Sequence, residues 1–242
     1  MTHTSDSAFQ INPYTRWVYD HPDRLLPEPT PERLTQARQQ GPTCTALEVD
    51  LGCGSGNFLL QLGALHPDRH FVGFELRFKR LVKSAEKLER QERNNVWLLR
   101  EGAERFGEYF APGSIDRVHI NFPDPWPRRS QWKKRLFGKD FLVDLERVLK
   151  PGGTFRLKTD HSGYFLHALG LIDRNPAWRL TEFANDLHQG LPRVWQCHAE
   201  RERALEPNVA TEFEMLFRSK RKSVHCLAIQ KVSGPERDVN FR

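Results

Sequence analysis

The residues whose spacing most clearly implies chemistry are Asp50-Leu51-Gly52-Cys53-Gly54-Ser55-Gly56. They follow an apolar run, Cys44–Leu51, and precede an amphipathic one, Asn57–Leu65, so the sequence predicts a strand, a tight turn and a helix. Three glycines let the backbone turn sharply and approach a ligand with no Cβ in the way. A dinucleotide site would read G-x-G-x-x-G; here the spacing is G-x-G-x-G, and an acid comes before it. A carboxylate at that point would repel a pyrophosphate and attract a cation. Glu75 ends the next apolar run, where a carboxylate can accept both hydroxyls of a ribose. A cationic nucleoside with no phosphate satisfies both acids, and S-adenosylmethionine is such a molecule. Asp50, Gly52, Gly54 and Glu75 are its expected contacts. Gly102 and Ala103, after the third strand, are expected to face the adenine edge through their backbone, although an ordinary strand-to-helix loop fits them equally.

A second constellation lies at Asn121-Phe122-Pro123-Asp124-Pro125-Trp126. Two prolines stiffen this loop and fix where its side chains point. Phe122 and Trp126 offer flat faces on which a base could stack, and Asp124 could accept the paired N1–H and N2 donors of a guanine. Asn121 and Asp124 also lie close enough to the glycine turn in such a fold to join the cofactor contacts. Arg128-Arg129-Ser130-Gln131-Trp132-Lys133-Lys134-Arg135 follows directly. A basic run is usually a solvated face, but beside an acceptor loop it reads as a phosphate contact.

These residues need a frame. The alternation predicts strands at Cys44–Leu51, His70–Glu75, Val96–Arg100, Ile115–Asn121 and Thr154–Thr159. Helices are predicted at Asn57–Leu65, Arg77–Arg93, Glu104–Phe110, Lys139–Leu149 and Tyr164–Arg174, with late strands at Trp178–Phe183 and Val224–Lys231. Lys150-Pro151-Gly152-Gly153 reads as a helix stop. The pattern implies an α/β fold of Rossmann-like type, with a mostly parallel central sheet and helices on both faces. Ligands of such sheets bind beyond the carboxyl ends of the strands, where both constellations fall. Six prolines mark residues 1–43 as a basic, Pro-rich arm carrying one short helix near Pro31–Gln40. The catalytic domain is expected over 44–232, with a tail at 233–242.

The 242 residues are 38% hydrophobic and 11% aromatic, enough for one substantial core. The net charge of +6 suits a polyanionic partner and equally suits simple solubility. Four cysteines, none at C-x-x-C or zinc-finger spacing, imply a reducing cytoplasm and no metal site. No apolar run is long enough for a membrane span, and Met1-Thr2-His3-Thr4-Ser5-Asp6 does not read as a secretory signal. Cys197-His198 near Glu200 invites a nucleophile reading, but no third orienting group accompanies it, and a loop is the simpler reading.

The acidic glycine turn, P-D-P-W with its basic tail, Lys158-Thr159-Asp160 and Thr211-Glu212-Phe213-Glu214 together resemble the bacterial tRNA (guanine-N7)-methyltransferases. The resemblance spans about residues 44–231. It implies a class I methyltransferase fold acting on a guanosine in the variable loop of tRNA, with S-adenosylhomocysteine as product, in a monomer or homodimer. It also implies that Asp124 is the central acid near donor and acceptor. Arg128, Ser130, Gln131, Trp132, Lys133, Lys134 and Arg135 would contact the RNA, Asp160 would face the target nucleotide, and Thr211, Glu212, Phe213 and Glu214 would close the guanine pocket. The family often has Glu at Asp50, Asp at Gly102, Lys at Arg128, and Arg and His at Ser130 and Gln131, so the RNA contacts differ in detail.

Guanine N7 carries a lone pair and no proton, so its methylation requires alignment rather than a general base. Asp124 could orient guanine or contact the methionine ammonium; one carboxylate could do both. The arm residues Asn12, Pro13, Tyr14 and Arg16 are expected to help grip the RNA. The competing functions are methyl transfer to an amino group, whose enzymes commonly carry N/D-P-P-Y/F at this loop, and a non-catalytic RNA-binding scaffold. A small-molecule methyltransferase would leave the basic run without a purpose.

Overall fold

The computed structural model describes Tyr14, Arg16, Leu25, Leu26, residues 28–188 and residues 208–232. Eight strands form one sheet: β1 (Leu25–Leu26), β2 (Ala46–Leu51), β3 (Arg69–Phe74), β4 (Val96–Leu99), β5 (Ile115–Asn121), β6 (Leu149–Thr159), β7 (Trp178–Ala184) and β8 (His225–Lys231). Their order is β1-β4-β3-β2-β5-β6-β8-β7, with β8 antiparallel to both neighbours and every other pairing parallel. The order reverses between β2 and β5, which places a ligand crevice at the carboxyl ends of those two strands. Central strands buried on both faces must be apolar almost throughout. β4 is Val-Trp-Leu-Leu, buried at all four positions.

Two apolar layers cover the sheet. On one face lie α2 (Asn57–Leu65) and α3 (Phe78–Arg90), which bury Phe58, Leu59, Leu62, Leu81, Val82 and Leu88. On the other lie α4 (Lys139–Val148), α5 (Ser162–Ile172) and the 3-10 turn Ala103–Tyr109, whose Phe106 and Tyr109 join Phe137, Phe141 and Phe155 in the core. Phe106, Tyr109 and Phe110 are thus core.

The sequence sets residues 1–43 apart as an arm, and there the structure differs. Leu25 and Leu26 pair with Leu98 and Leu99, and Leu34 of α1 (Pro31–Gln39) is buried in the main core. Tyr14 packs on the second apolar cluster and Arg16 is exposed. Asn12 and Pro13 lie outside the described residues, as do Cys197, His198, Glu200 and the tail at 233–242.

Lys150-Pro151-Gly152-Gly153 does not stop the chain before a new strand. Leu149 already pairs with Ile115, so β6 runs through this segment with a register shift against β5. Gly152 takes φ 73, and a Cβ on Gly153 would meet the carbonyl oxygens of Lys150 and Asp116. The glycines therefore bend a continuous strand. A further helix, α6 (Glu212–Ser219), forms where the sequence shows only a short motif.

Candidate active site

The glycine turn hangs on β3: the amides of Gly52 and Cys53 both donate to the Phe74 carbonyl at 2.9 Å. Gly52, Gly54 and Gly56 take φ of 82, 60 and 75, values that a side chain would strain. Nothing lies within 4 Å of where a Gly52 Cβ would stand, so the space above the turn is open to a ligand. At Gly56 a Cβ would run into Ser84 of α3, whose hydroxyl donates to Gly54 O at 2.9 Å. Asp50 is buried at the end of β2 and accepts one hydrogen bond, from Asn121 Nδ2 at 3.2 Å. Burial and the nearby Glu75 raise its pKa to about 7, against partial relief from Asn121 and Lys158. A buried carboxylate with one neutral donor is poised for a cation. Glu75, also buried, accepts the Arg77 amide at 2.9 Å through Oε1, and its Oε2 lies 3.8 Å from Arg80.

At the third strand end, the Gly102 amide donates to Glu101 Oε1 at 2.8 Å. Glu101 Oε2 is engaged by Tyr109 Oη at 2.7 Å and by Arg105 at 2.6 Å. The Glu104 carboxylate occupies the place that a Gly102 side chain would need. The amide of Gly102 and the carboxylate of Glu101 are thus committed to each other.

β5 carries the second constellation to the same edge. Asn121, its last residue, bonds Asp50, so the loop begins one hydrogen bond from the glycine turn. Phe122 and Trp126 both adopt left-handed backbone, φ 53 and 43. Asp124 between them is exposed, and among the described residues no side chain bonds it. The Phe122 ring lies 5.2 Å from Phe217 and 6.2 Å from Phe213, both on α6. Thr211 caps α6 through the Glu214 amide at 3.0 Å. Glu212 accepts from Ser55 and Asn57 beside the glycine turn and lies 3.6 Å from Lys87. Phe213 stands 5.9 Å from Arg80. α6 therefore touches both the donor and acceptor constellations.

Glu214 points the other way, into the core, where Lys158 Nζ donates to it at 2.8 Å and Asn208 at 2.7 Å. Lys158 is 1% exposed and also donates to Val209 O at 2.9 Å. Burial lowers the lysine pKa; burial opposes ionisation of Glu214 too, yet the ammonium beside it holds that carboxyl below its usual range. Glu214 thus anchors α6 rather than lining a guanine pocket. Asp160 is half-buried, 3.8 Å from Lys222.

Arg128, Arg129, Ser130, Lys133 and Lys134 are exposed, Gln131 is partly so, and Trp132 is 39% exposed beside His167 at 5.7 Å. The Lys134 Nζ lies 4.8 Å over the Trp126 ring. Arg135 departs from the expectation. It is buried, and it donates to the carbonyls of Pro125 at 3.0 Å, Gly163 at 3.4 Å and Trp126 at 3.5 Å. It braces the acceptor loop against α5 and offers nothing to a phosphate. His161 is likewise structural: its Nδ1 accepts the Tyr164 amide and caps α5.

The Lys158–Glu214 pair and the Arg135 brace are the features that sequence reasoning missed. A lysine alternating with leucine and threonine in β6 was the available signal for the first. Among the described residues, no group of His, Cys, Asp and Glu could hold a metal ion, and no helix is long and apolar enough to cross a membrane.

Residues 45–227 match a family model described as a putative methyltransferase. The tRNA (guanine-N(7)-)-methyltransferase of Lactobacillus gasseri is 32% identical over 211 residues, covering 87% of this chain and 92% of that protein. That of Geobacillus kaustophilus is 32% identical over 219 residues, covering 88% and 94%. A bifunctional glycosyltransferase/methyltransferase of Fusobacterium nucleatum is 31% identical over 91% of this chain, which spans only 33% of that longer protein. Among solved structures, the aminoglycoside resistance methyltransferase NpmB1 superposes with a TM-score of 0.54 at 22% identity, covering 84% of this chain and 94% of the other. The 16S rRNA methyltransferase KamB gives 0.54 at 16% identity, with coverage of 84% and 94%; these two share the fold. Fold and site together define a class I S-adenosylmethionine-dependent methyltransferase. Within that class, the chain belongs to the tRNA (guanine-N(7)-)-methyltransferase family.

Proposed function

We propose that this protein methylates N7 of a guanosine in the variable loop of tRNA, using S-adenosylmethionine and releasing S-adenosylhomocysteine. The observation that carries the reading is the 3.2 Å hydrogen bond from Asn121 to Asp50, which couples the acceptor loop to the glycine turn. Asp50 and the open backbone at Gly52 and Gly54 would receive the methionine and sulfonium end, Glu75 the ribose, and Ala103 the adenine edge. When bound, the donor supplies an electrophilic methyl: its S–CH3 bond breaks as the N7–CH3 bond forms, and the electron pair returns to sulfur. Asp124 is free to accept guanine N1–H and N2–H, which fixes the ring and aims N7. Phe122 and Phe213 offer aromatic faces beside it, and α6 excludes water from that side. No proton leaves the nucleophile, so no side chain serves as a base. The exposed run Arg128–Lys134 would meet the RNA backbone. Free thiols at Cys44, Cys53 and Cys226 suit a reducing cytoplasm.

The test is to incubate the protein with labelled S-adenosylmethionine and unmodified tRNA, then identify the modified nucleoside by mass spectrometry after digestion. N7-methylguanosine is expected. A methylated exocyclic amine, or donor binding with no transfer, would overturn the reading.

A further inference from the structure

α6 ends in Arg218-Ser219-Lys220-Arg221-Lys222, all five exposed. The helix closes with Arg221 N–H donating to Arg218 O and Lys222 N–H to Phe217 O, both at 2.9 Å. Arg221 holds φ 53. This is the left-handed residue just past a helix end, the position that glycine fills best because it lacks a Cβ. Here an arginine stands instead, between two lysines.

The run borders the acceptor loop. Lys222 Nζ lies 3.8 Å from Asp160 and 5.2 Å over the Phe217 ring, and that ring lies 5.2 Å from Phe122. The other exposed basic run, Arg128 to Lys134, leaves the far end of the same loop and reaches back over Trp126. Among the described residues, Lys222 pairs with Asp160, while Arg218, Lys220 and Arg221 form no ion pair. Three uncommitted cations therefore adjoin the Phe122 end of the acceptor loop, and Arg128, Arg129, Lys133 and Lys134 follow its Trp126 end.

We propose that Arg218, Lys220 and Arg221 form a second phosphate-binding arm, gripping the RNA backbone on the side of the target guanosine opposite Arg128–Lys134. This rests on the tRNA reading given above. Presenting one nucleotide to a pocket unstacks it, and backbone held on both flanks keeps it presented. Such contacts carry no sequence information; they supply affinity and register. Each neutralised phosphate steepens the salt dependence of binding by about 0.7 to 0.9 in log–log slope, so three cations contribute about 2.

The experiment uses the full chain, an unmodified tRNA transcript and binding measured across a salt series. The triple variant R218A/K220A/R221A is expected to bind about tenfold or more weakly at physiological salt, with a slope shallower by about 2. Its KM for tRNA should rise with little change in kcat. Arg221→Gly separates grip from structure: relief of the left-handed arginine should raise Tm while tRNA affinity falls severalfold. Wild-type affinity and slope in the triple variant would overturn the proposal, as would a glycine variant that binds tRNA undiminished. A collapse of kcat at saturating tRNA would place the run in the chemistry instead and also overturn it. If the wild type binds the methyl donor but neither binds nor methylates tRNA, the underlying reading fails and the arm falls with it.

Discussion

Asp50 sets a pH dependence that can be worked from its surroundings. Its carboxyl is buried, bonded among the described residues only by Asn121, and raised from the ordinary 3.8 to about 7. That difference corresponds to about 4 kcal/mol against the ionised form in the folded protein. Because the folded-state value lies above the unfolded one, the contribution of Asp50 to the stability of the ligand-free protein falls as pH rises from about 4 to 7. A cationic methyl donor reverses the preference, since it requires the carboxylate. Below pH 7 each unit should therefore weaken donor binding about tenfold, or roughly twentyfold between about pH 7.5 and 5.5. Titration calorimetry with S-adenosylmethionine over that range checks it. Asp50→Asn should bind the donor weakly and with no such slope, yet be more stable than wild type at about pH 8. A flat wild-type profile, or an equal slope in the asparagine variant, would refute the reasoning.

Asp124→Ala should fold with an unchanged Tm, because the side chain is exposed and bonds no described residue, and should lose methyl transfer by about a hundredfold or more. Normal single-turnover rates would remove Asp124 from the site. Glu214→Leu strands the buried Lys158 ammonium and should cost about 3–5 kcal/mol in chemical denaturation. The double variant K158M/E214L should recover most of it, and failure to recover would mean that the pair is not the anchor of α6. Leu34→Ala, in the segment that reads as an arm, should cost about 2–5 kcal/mol because Leu34 is 1% exposed. A Tm within a degree of wild type would detach α1 from the core.

The turn-and-helix grammar of the catalytic domain is legible because its signals are local. Asn57–Leu65 and Ile115–Asn121 have the bounds the sequence predicts, since glycines or a proline-bearing loop mark their ends. Asp50, Asn121 and the glycines meet at one edge because sheet topology brings the ends of β2 and β5 together. What the sequence hides is set by distant partners. Leu25 and Leu26 become a strand only because β4 offers an edge, amid prolines that argue locally against one. Lys158 is buried because Glu214, 56 residues away, neutralises it. Arg135 sits in a basic run like its neighbours; the loop carbonyls of Pro125 and Trp126 and the α5 carbonyl of Gly163 turn it inward.

Several locally unfavourable features lie along the same edge, although Glu92, just past the end of α3, also holds left-handed backbone. Asp50 resists ionisation, Phe122 and Trp126 hold left-handed backbone, Lys158 and Glu214 place two charges in the core, and Arg221 occupies a position suited to glycine. Each left-handed residue among them costs on the order of 1–3 kcal/mol and persists only where the rest of the fold over-determines it. The surrounding sheet can bear this, because its strands agree with local propensity and bury apolar surface on both faces. A fold selected for stability alone would relax three of these features by one substitution each, to asparagine at Asp50 and to glycine at Phe122 and Arg221. Each change should therefore stabilise the protein while weakening a different step: donor binding, stacking of the base, and grip on the backbone. That opposition of signs separates a functional edge from a merely irregular one, because an irregularity without function would gain stability and lose nothing.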